Sequence, residues 1–439
     1  MRYIIDVTQL IHWPGNLTGI PRVMDELAIR FLNDTSRETH FVTWVKEANA
    51  MCEIDFAKTR SLRGKHIAYK LINQDAAANS DIQSQPSSTN PSERQIGPFV
   101  KNSIKKVIVK SRFDRTPLYK KLLENKKLLE SSLYKKYNPS KDDVFFIPWG
   151  EWWDQNWLTL LANYHARGVR LYPISHDILP MVVPHFSGNS ASLENFVSQI
   201  FPLSTKVLAV SQSSKADLTE WMKSKSLAIP TIEVFRLGED FTFKTTPLKD
   251  RDVESRYGIK KDNYLVYVST IEPRKNHLLL YYTYKLAASR GISLPHLVII
   301  GRVGHDMEAI LGMIRNDPQV NTSISIENNV DDDDLNWLYQ HSRFAVTSSF
   351  YEGWGMSVLE SIARGKPVVC SNTSSLLEMP DDCVIRFNPS STDECLAALQ
   401  EMLEPSTLKK YRNNTKKYKV HSWDASYNQV IAILDGESI

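Results

Sequence analysis

The stretch 349-SFYEGWGMSVLESIARGKPVVCSN-372 decides the reading of this chain. It sets Glu352 and Glu360 eight positions apart around two glycines, Gly353 and Gly355. The apolar run FAVTSS (344–349) leads into it and PVVCS (367–371) follows, both with the character of buried strands. Between them the glycines permit a sharp turn, and the pattern predicts a helix over about 357–364. Strand, glycine loop, helix and strand follow in that order. Glu352 is then expected in a loop above the strand end, and Glu360 in the first helical turn. A carboxylate in a first turn is ordinary compensation of the helix dipole, which accounts for Glu360 alone but not for Glu352 or the glycines.

Working outward, the same alternation continues on both sides. From about residue 262 it runs through strand YLVYVS, helix 277–289, strand HLVII, strand ISIE and helix 333–341. In the first half it runs through strand Tyr3 to Asp6, a helix over about Val23 to Phe31, and strands VFFIP (144–148), VRLYPIS (169–175), KVLAVS (206–211) and TIEVF (231–235). Helical runs at 192–201 and 213–222 lie between the last of these. Alternation of this kind predicts parallel sheets covered by helices, here in two successive α/β units. The expected domains are 1–245 and 246–420, with a terminal helix within 421–439 that could pack on either unit. The polar stretch 238–263 contains the expected hinge.

Composition supports this reading. A chain of 439 residues, 42% hydrophobic, buries two cores with ease and is no disulfide-stapled scaffold. The four cysteines, Cys52, Cys370, Cys383 and Cys395, form no CxxC pair, so neither a zinc site nor a disulfide framework is indicated. The N-terminal apolar run is too short for a secretory signal, and no window reaches the ~18 apolar residues of a spanning helix, so the expected location is cytoplasmic. Residues 73–98 lack large apolar side chains and read as a mobile linker. Residues 101–136 carry 12 Lys or Arg against 3 Asp or Glu, more than the whole net charge of +3. Leu118, Leu122, Leu129 and Leu133 give that segment a helical apolar stripe. A basic amphipathic helix suits an anionic membrane surface, hence an expected peripheral association with the inner face of the cytoplasmic membrane. Aromatic residues are not interleaved as stacking platforms, so nucleic acid is not an expected partner.

In open α/β sheets ligands bind beyond the carboxyl ends of the strands, which directs attention to the loops there. After YLVYVS comes TIEPRKN, where Arg274 and Lys275 precede a helix capped by Asn276. Two cations beside a helix N-terminus suit an anion such as a diphosphate. After HLVII comes GRVGHD, whose glycines alone say little. In the third loop Glu352, an acceptor-only group, suits the hydroxyls of a sugar or ribose. The run 331–334, DDDD, contains an Asp-x-Asp metal pattern, yet it precedes a helix where acids are favoured, and the structural reading is taken. Cations for a diphosphate and carboxylates for hydroxyls together describe a nucleotide-sugar pocket.

These motifs resemble the donor domain of retaining GT-B glycosyltransferases of family 4 (glycosyl transferases group 1), and bacterial surface-polysaccharide mannosyltransferases in particular. The resemblance rests on EGWGMSVLE, ARGKPVVCSN, IEPRKN, LVIIGRVG and HSWDASYNQVIAIL, and in the first unit on TGIPRV, ISHDILP and VLAVSQSSKADL. It covers most of the chain outside about 73–140. It implies a GT-B fold of two Rossmann-like α/β/α domains facing a cleft. By the same resemblance Glu352 contacts the donor sugar near C3 and C4, Glu360 the ribose, and Arg274 and Lys275 the diphosphate. Gly19 approaches the phosphates from the opposite domain, His176 reaches the transferred sugar, and Val330 lies near the base. The implied reaction is transfer of mannose from GDP-mannose, with retention and without a metal or other cofactor, to a lipid-linked oligosaccharide acceptor of O-antigen or capsule type. A UDP- or dTDP-sugar donor, or a non-catalytic nucleotide-sugar-binding protein, remains the alternative.

Overall fold

The computed structural model describes residues 2–13, 17–62, 135–186, 190–240, 250–328 and 330–437. The expected linker at 73–98, and the basic helix at 101–136 apart from its last two residues, lie outside the described residues. Those two, Lys135–Lys136, form an exposed strand instead of helix.

The first unit is an eight-stranded sheet ordered β4-β3-β2-β1-β5-β6-β7-β8. Its strands are β1 (Tyr3–Asp6), β2 (Thr39–Val45), β3 (Ala50–Glu53), β4 (Lys135–Lys136), β5 (Val144–Ile147), β6 (Arg170–Ser175), β7 (Lys206–Ala209) and β8 (Thr231–Val234). Among the described strands of this unit, only the β2–β3 and β3–β4 pairings are antiparallel. Helices Ile20–Asn33, Gln155–Ala166, Ala191–Ile200 and Gln212–Ser224 accompany it. The second unit is an all-parallel six-stranded sheet ordered β11-β10-β9-β12-β13-β14. Its strands are β9 (Tyr264–Val268), β10 (His296–Ile300), β11 (Ile324–Glu327), β12 (Phe344–Thr347), β13 (Val368–Ser371) and β14 (Val384–Phe387).

Strand sequences follow from burial on both faces. Tyr3 and Ile5 enter one core with Val144 and Phe146, while Ile4 enters another with Phe145 and Ile147. In the second sheet Leu265 and Tyr267 face one core, and Tyr264 and Val266 face the other. With helices on both faces, each strand reads as a near-continuous apolar run. Each sheet has a switch point where strand order reverses, between β1 and β5 and between β9 and β12. The loops following those strands form the crevice in which such sheets bind ligands.

The chain crosses between units twice, and the crossings are tied together. Glu239 is buried and accepts from Arg236 Nε at 2.9 Å, Tyr418 Oη at 2.8 Å and the His421 amide at 3.2 Å. Its own amide donates to the His421 carbonyl at 2.8 Å. The terminal helix Trp423–Asp435 then packs on the first unit, where Trp423, Val430, Ile433 and Leu434 join the core around β1. Tyr427 meets Phe31 edge-on at 5.0 Å and donates to Asp34 at 2.8 Å.

Candidate active site

The loops after β9 and β12 fold against each other around Glu352. Lys275 Nζ donates to Glu352 Oε1 at 2.6 Å, and Ser349 Oγ donates to the same oxygen at 2.6 Å. Arg274 Nη1 reaches Glu352 Oε2 at 3.0 Å and the Tyr351 carbonyl at 2.5 Å, while its Nη2 meets Glu272 at 2.7 Å. The loop backbone is fixed as well: the Glu352 amide donates to Ser374 Oγ at 2.8 Å, and Ser375 Oγ donates to the Glu352 carbonyl at 2.9 Å. Burial alone would raise the Glu352 pKa, but Lys275 and Arg274 overcome it and hold the carboxyl down at about 2. The carboxylate is therefore ionised at any physiological pH.

Two consequences qualify the sequence-based expectation. The cations are not a bare positive patch, because Glu352 and Glu272 balance Arg274 and Lys275 within one cluster. Glu352 has about four lone-pair sites, and three are taken by protein donors. One acceptor site is left for a ligand hydroxyl, fewer than the contacts at both C3 and C4 that the resemblance implies. The helix start after Arg274 and Lys275 is also partly satisfied, since Asn276 caps helix His277–Ser289 and accepts from the Leu279 amide.

Glu360 lies five residues into helix Met356–Ala363, past its first turn, because the helix begins one residue earlier than the pattern suggests. Its Oε1 pairs with Arg22 of the first unit at 3.1 Å, and its Oε2 accepts from Tyr339 Oη at 3.2 Å. Arg22, which in sequence has the bland look of a surface charge, is thus a bridge between units. Gly353 touches the opposite unit directly: a Cβ there would stand 2.7 Å from the His176 carbonyl and 2.9 Å from Asp177 Oδ2. Gly355 caps the helix with a positive φ of 96°. Between the two glycines Trp354 packs against cores of both units.

From the first unit, His176 follows β6 and lines a cavity of about 320 Å³ together with Asp177, Glu272 and Arg274. Burial lowers the His176 pKa to about 4, so its imidazole is neutral. Nε2 lies 2.8 Å from the Pro148 carbonyl, which only accepts, and this fixes the proton on Nε2 and leaves Nδ1 as the acceptor. Burial raises the pKa of neighbouring Asp177. Gly19 caps helix Ile20–Asn33 with φ 58° and ψ −133°, a conformation only glycine adopts without strain, and a Cβ there would meet no atom within 4 Å. Val330 packs at the margin of a core of the second unit, just before helix Asp332–His341.

The aspartate run takes structural roles. Asp331 caps that helix by accepting from the Asp334 amide, and Asp334 accepts from Arg256 and from Tyr257 Oη. Among the described residues, no three His, Cys, Asp or Glu side chains converge as metal ligands.

Sequence reasoning missed Glu272, Ser349, Tyr339, Ser374 and Ser375, which hold the site residues, and Asp177 across the cleft. Ser349 sits three residues before Glu352, the spacing of a side chain that folds back on its own loop, but such a hydroxyl is common in loops. Further ties hold the two units together. Glu378 accepts from the Gln212 and Ser213 amides at 3.0 and 2.8 Å, at the N-terminus of helix Gln212–Ser224, and Tyr351 bonds Asp217.

Comparison with known proteins agrees with this architecture. Residues 250–420 match the family described as glycosyl transferases group 1. The chain is 26% identical over 260 residues to O-antigen chain mannosyltransferase B of Escherichia coli, covering 58% of this chain and 68% of that protein. It is 24% identical over 255 residues to the serotype-specific mannosyltransferase WbdA of the same species, 56% of this chain but only 31% of that longer protein. Among solved structures, Anabaena HepE in complex with UDP superposes with a TM-score of 0.60 at 13% identity, over 99% of this chain and 100% of HepE. A glycosyltransferase from Rickettsia africae superposes with a TM-score of 0.58 at 15% identity, over 99% of this chain and 98% of that one. Residues 250–420 therefore carry a glycosyl transferases group 1 domain, and the chain as a whole shares the two-domain GT-B fold of these glycosyltransferases.

Proposed function

We propose that the protein transfers mannose from GDP-mannose, with retention and without a metal, to a lipid-linked glycan in the assembly of a bacterial surface polysaccharide. The observation that carries this reading is the Glu352–Arg274–Lys275 cluster, whose Arg274 shares a small cavity with His176 and Asp177. The mannosyl assignment leans on the E. coli relatives.

In the proposed reaction the diphosphate takes Arg274 from Glu272 and shares Lys275 with Glu352. Fixed positive charge then stands where the leaving group gains negative charge, so no metal is required for that purpose. Glu352 accepts one sugar hydroxyl, and Glu360 exchanges its Arg22 or Tyr339 partner for the ribose. His176, neutral with Nδ1 as acceptor, takes a hydroxyl proton in a hydrogen bond without adding charge beside the cations. The bond from the anomeric carbon to the phosphate oxygen breaks to give a short-lived oxocarbenium ion pair. The acceptor oxygen attacks the same face, and its proton passes to the departing phosphate. A two-carboxylate covalent route is the less favoured one, because Glu352 is already committed to both cations. Glycan assembly of this kind is proposed to proceed at the inner face of the cytoplasmic membrane, with 101–136 as the basic contact. No described helix is long and apolar enough to cross a membrane.

The test is a thermal-shift series with GDP, UDP, dTDP and ADP and their hexose conjugates. A ligand at 100 times its Kd stabilises the fold by about 2.7 kcal/mol. A shift selective for GDP and GDP-mannose is expected. Selectivity for UDP or dTDP would reassign the donor, and no shift with any nucleotide would remove the site.

A further inference from the structure

The loop after β5 at the first sheet's switch point reads WGEWWD, three tryptophans within residues 149–153, and the donor chemistry leaves it unexplained. Trp149 and Trp152 line the same 320 Å³ cavity as His176 and Arg274, on its first-unit side. Their rings stand 6.1 Å apart and nearly perpendicular. Trp13 extends the row beyond Trp149 at 6.1 Å, and Trp153 extends it beyond Trp152 at 6.0 Å with 53% of its surface exposed. Trp153 lies outside the cavity lining and carries the aromatic row from Trp149 and Trp152 out to the surface.

A second observation gives the cavity a polar demand. Ser175, only 2% exposed at the end of β6, also lines it, and its Oγ has no hydrogen-bond partner among the described residues. The Trp149 Nε1–H is likewise buried without a partner among them. Buried hydroxyl and indole N–H groups are almost always satisfied, by protein, water or ligand, so a ligand that offers hydroxyl groups as well as an apolar face suits this wall. A pyranose ring does both, with axial C–H groups against indole and hydroxyls at its rim. Charge does not decide the matter on this wall, since the cations of the cavity belong to the second unit.

We infer that Trp149, Trp152 and Trp153, with Ser175, form a glycan-binding platform that holds the terminal sugars of an oligosaccharide acceptor. The inner ring rests on Trp149 and Trp152 with a hydroxyl on Ser175, next to His176 and the reacting centre. The next ring out rests on Trp153. The acceptor is thereby recognised as a chain of at least two sugars, and a lipid carrier lies beyond the platform. This inference rests on the glycosyltransferase reading but not on the identity of the nucleotide.

The test titrates the full chain with methyl α-mannoside, α-mannobiose and α-mannotriose, following tryptophan fluorescence and ligand-observed NMR, without nucleotide and with GDP. Mannotriose is expected to bind roughly tenfold or more tightly than the monosaccharide. Trp153→Ala is expected to remove that advantage while leaving the monosaccharide unaffected. Ser175→Ala breaks no protein hydrogen bond and so keeps the fold; it is expected to weaken all three ligands by several-fold. Trp152→Ala is expected to abolish binding, and Trp152→Phe to restore part of it, with the nucleotide-induced thermal shift unchanged in every variant. Equal affinity for one and three rings, or affinities untouched by Trp153→Ala and Ser175→Ala, would overturn the platform. Oligosaccharide binding that these variants destroy, in a protein that no nucleotide stabilises, would keep the platform and discard the donor assignment. Preference for a gluco-trisaccharide with the same sensitivity to the variants would keep the platform and change the sugar.

Discussion

The two switch points of this molecule are built from opposite materials. In the second unit the loops after β9 and β12 hold four charges, the buried Glu352 and the partly buried Glu272, Arg274 and Lys275, cross-linked by serine hydroxyls and backbone groups. In the first unit the loop after β5 holds tryptophans, and the neighbouring strand β6 ends on Ser175, buried with its hydroxyl lacking a partner among the described residues. Charge suits a ligand part that changes its charge during reaction. An aromatic wall suits a neutral ligand recognised by shape. On the proposed reading the same sheet topology supplies a reactive half and a selective half, and the difference lies in side chains that strand order does not dictate.

Breaking the charged half is expected to have the largest effect. Glu352→Ala leaves the partly buried Arg274 and Lys275 with one counter-ion fewer, so it should destabilise the fold by up to about 3–5 kcal/mol and abolish transfer. A residue that only contacts the donor would cost transfer in a stable protein; the ion pairs predict loss of both, and chemical denaturation of the variant decides between them. Lys275→Ala keeps the Arg274–Glu352 pair and should reduce kcat by about 10²–10³ with a smaller change in stability.

The next effect acts on the contact between halves. Gly353→Ala drives a methyl group into the His176 carbonyl and the Asp177 carboxyl. It should separate the units locally and reduce kcat/KM by roughly tenfold or more, with donor binding to the second unit retained. A wild-type rate in this variant would show that the observed approach is not the reactive one.

A smaller effect concerns pH. Burial holds the His176 pKa at about 4, below the ordinary histidine value. The unfolded chain therefore binds this proton first as pH falls, and stability is fully present above about 6.5 and lost progressively down to about 4. The slope approaches 1.4 kcal/mol per pH unit at most for this one group. His176→Gln should flatten part of that slope in denaturant titrations at pH 5 and 7. Smallest of all, EDTA is expected to leave the rate unchanged, and a loss restored by manganese would return attention to residues 331–334.

Much of the charged half was legible in the sequence, because its chemistry is carried by short local patterns. Helix His277–Ser289 matches the pattern at both ends, since an αL asparagine cap starts it and an apolar face runs its length. Glu352 and Arg274 were readable for the same reason: unusual charged residues stand next to glycine or proline just after apolar strands. Strand β2 and the antiparallel pair β3–β4 were not anticipated, since β4 is two lysines whose strand character exists only through pairing with β3. Helices Gln155–Ala166 and Thr392–Leu403 also went unassigned. The bridge from Arg22 to Glu360 spans 338 positions and has no local signature. The tryptophans of 149–153 were visible as composition, but nothing local says that they line a cavity with His176.

The most direct test of the account is a transfer assay with GDP-mannose and α-mannotriose, reading GDP release and product mass together for the wild type, Lys275→Ala and Trp153→Ala. The account predicts GDP release coupled to a product one hexose heavier, with kcat lost in Lys275→Ala and the acceptor KM raised in Trp153→Ala. Transfer from a UDP-hexose alone, or equal kinetics in all three proteins, would contradict it.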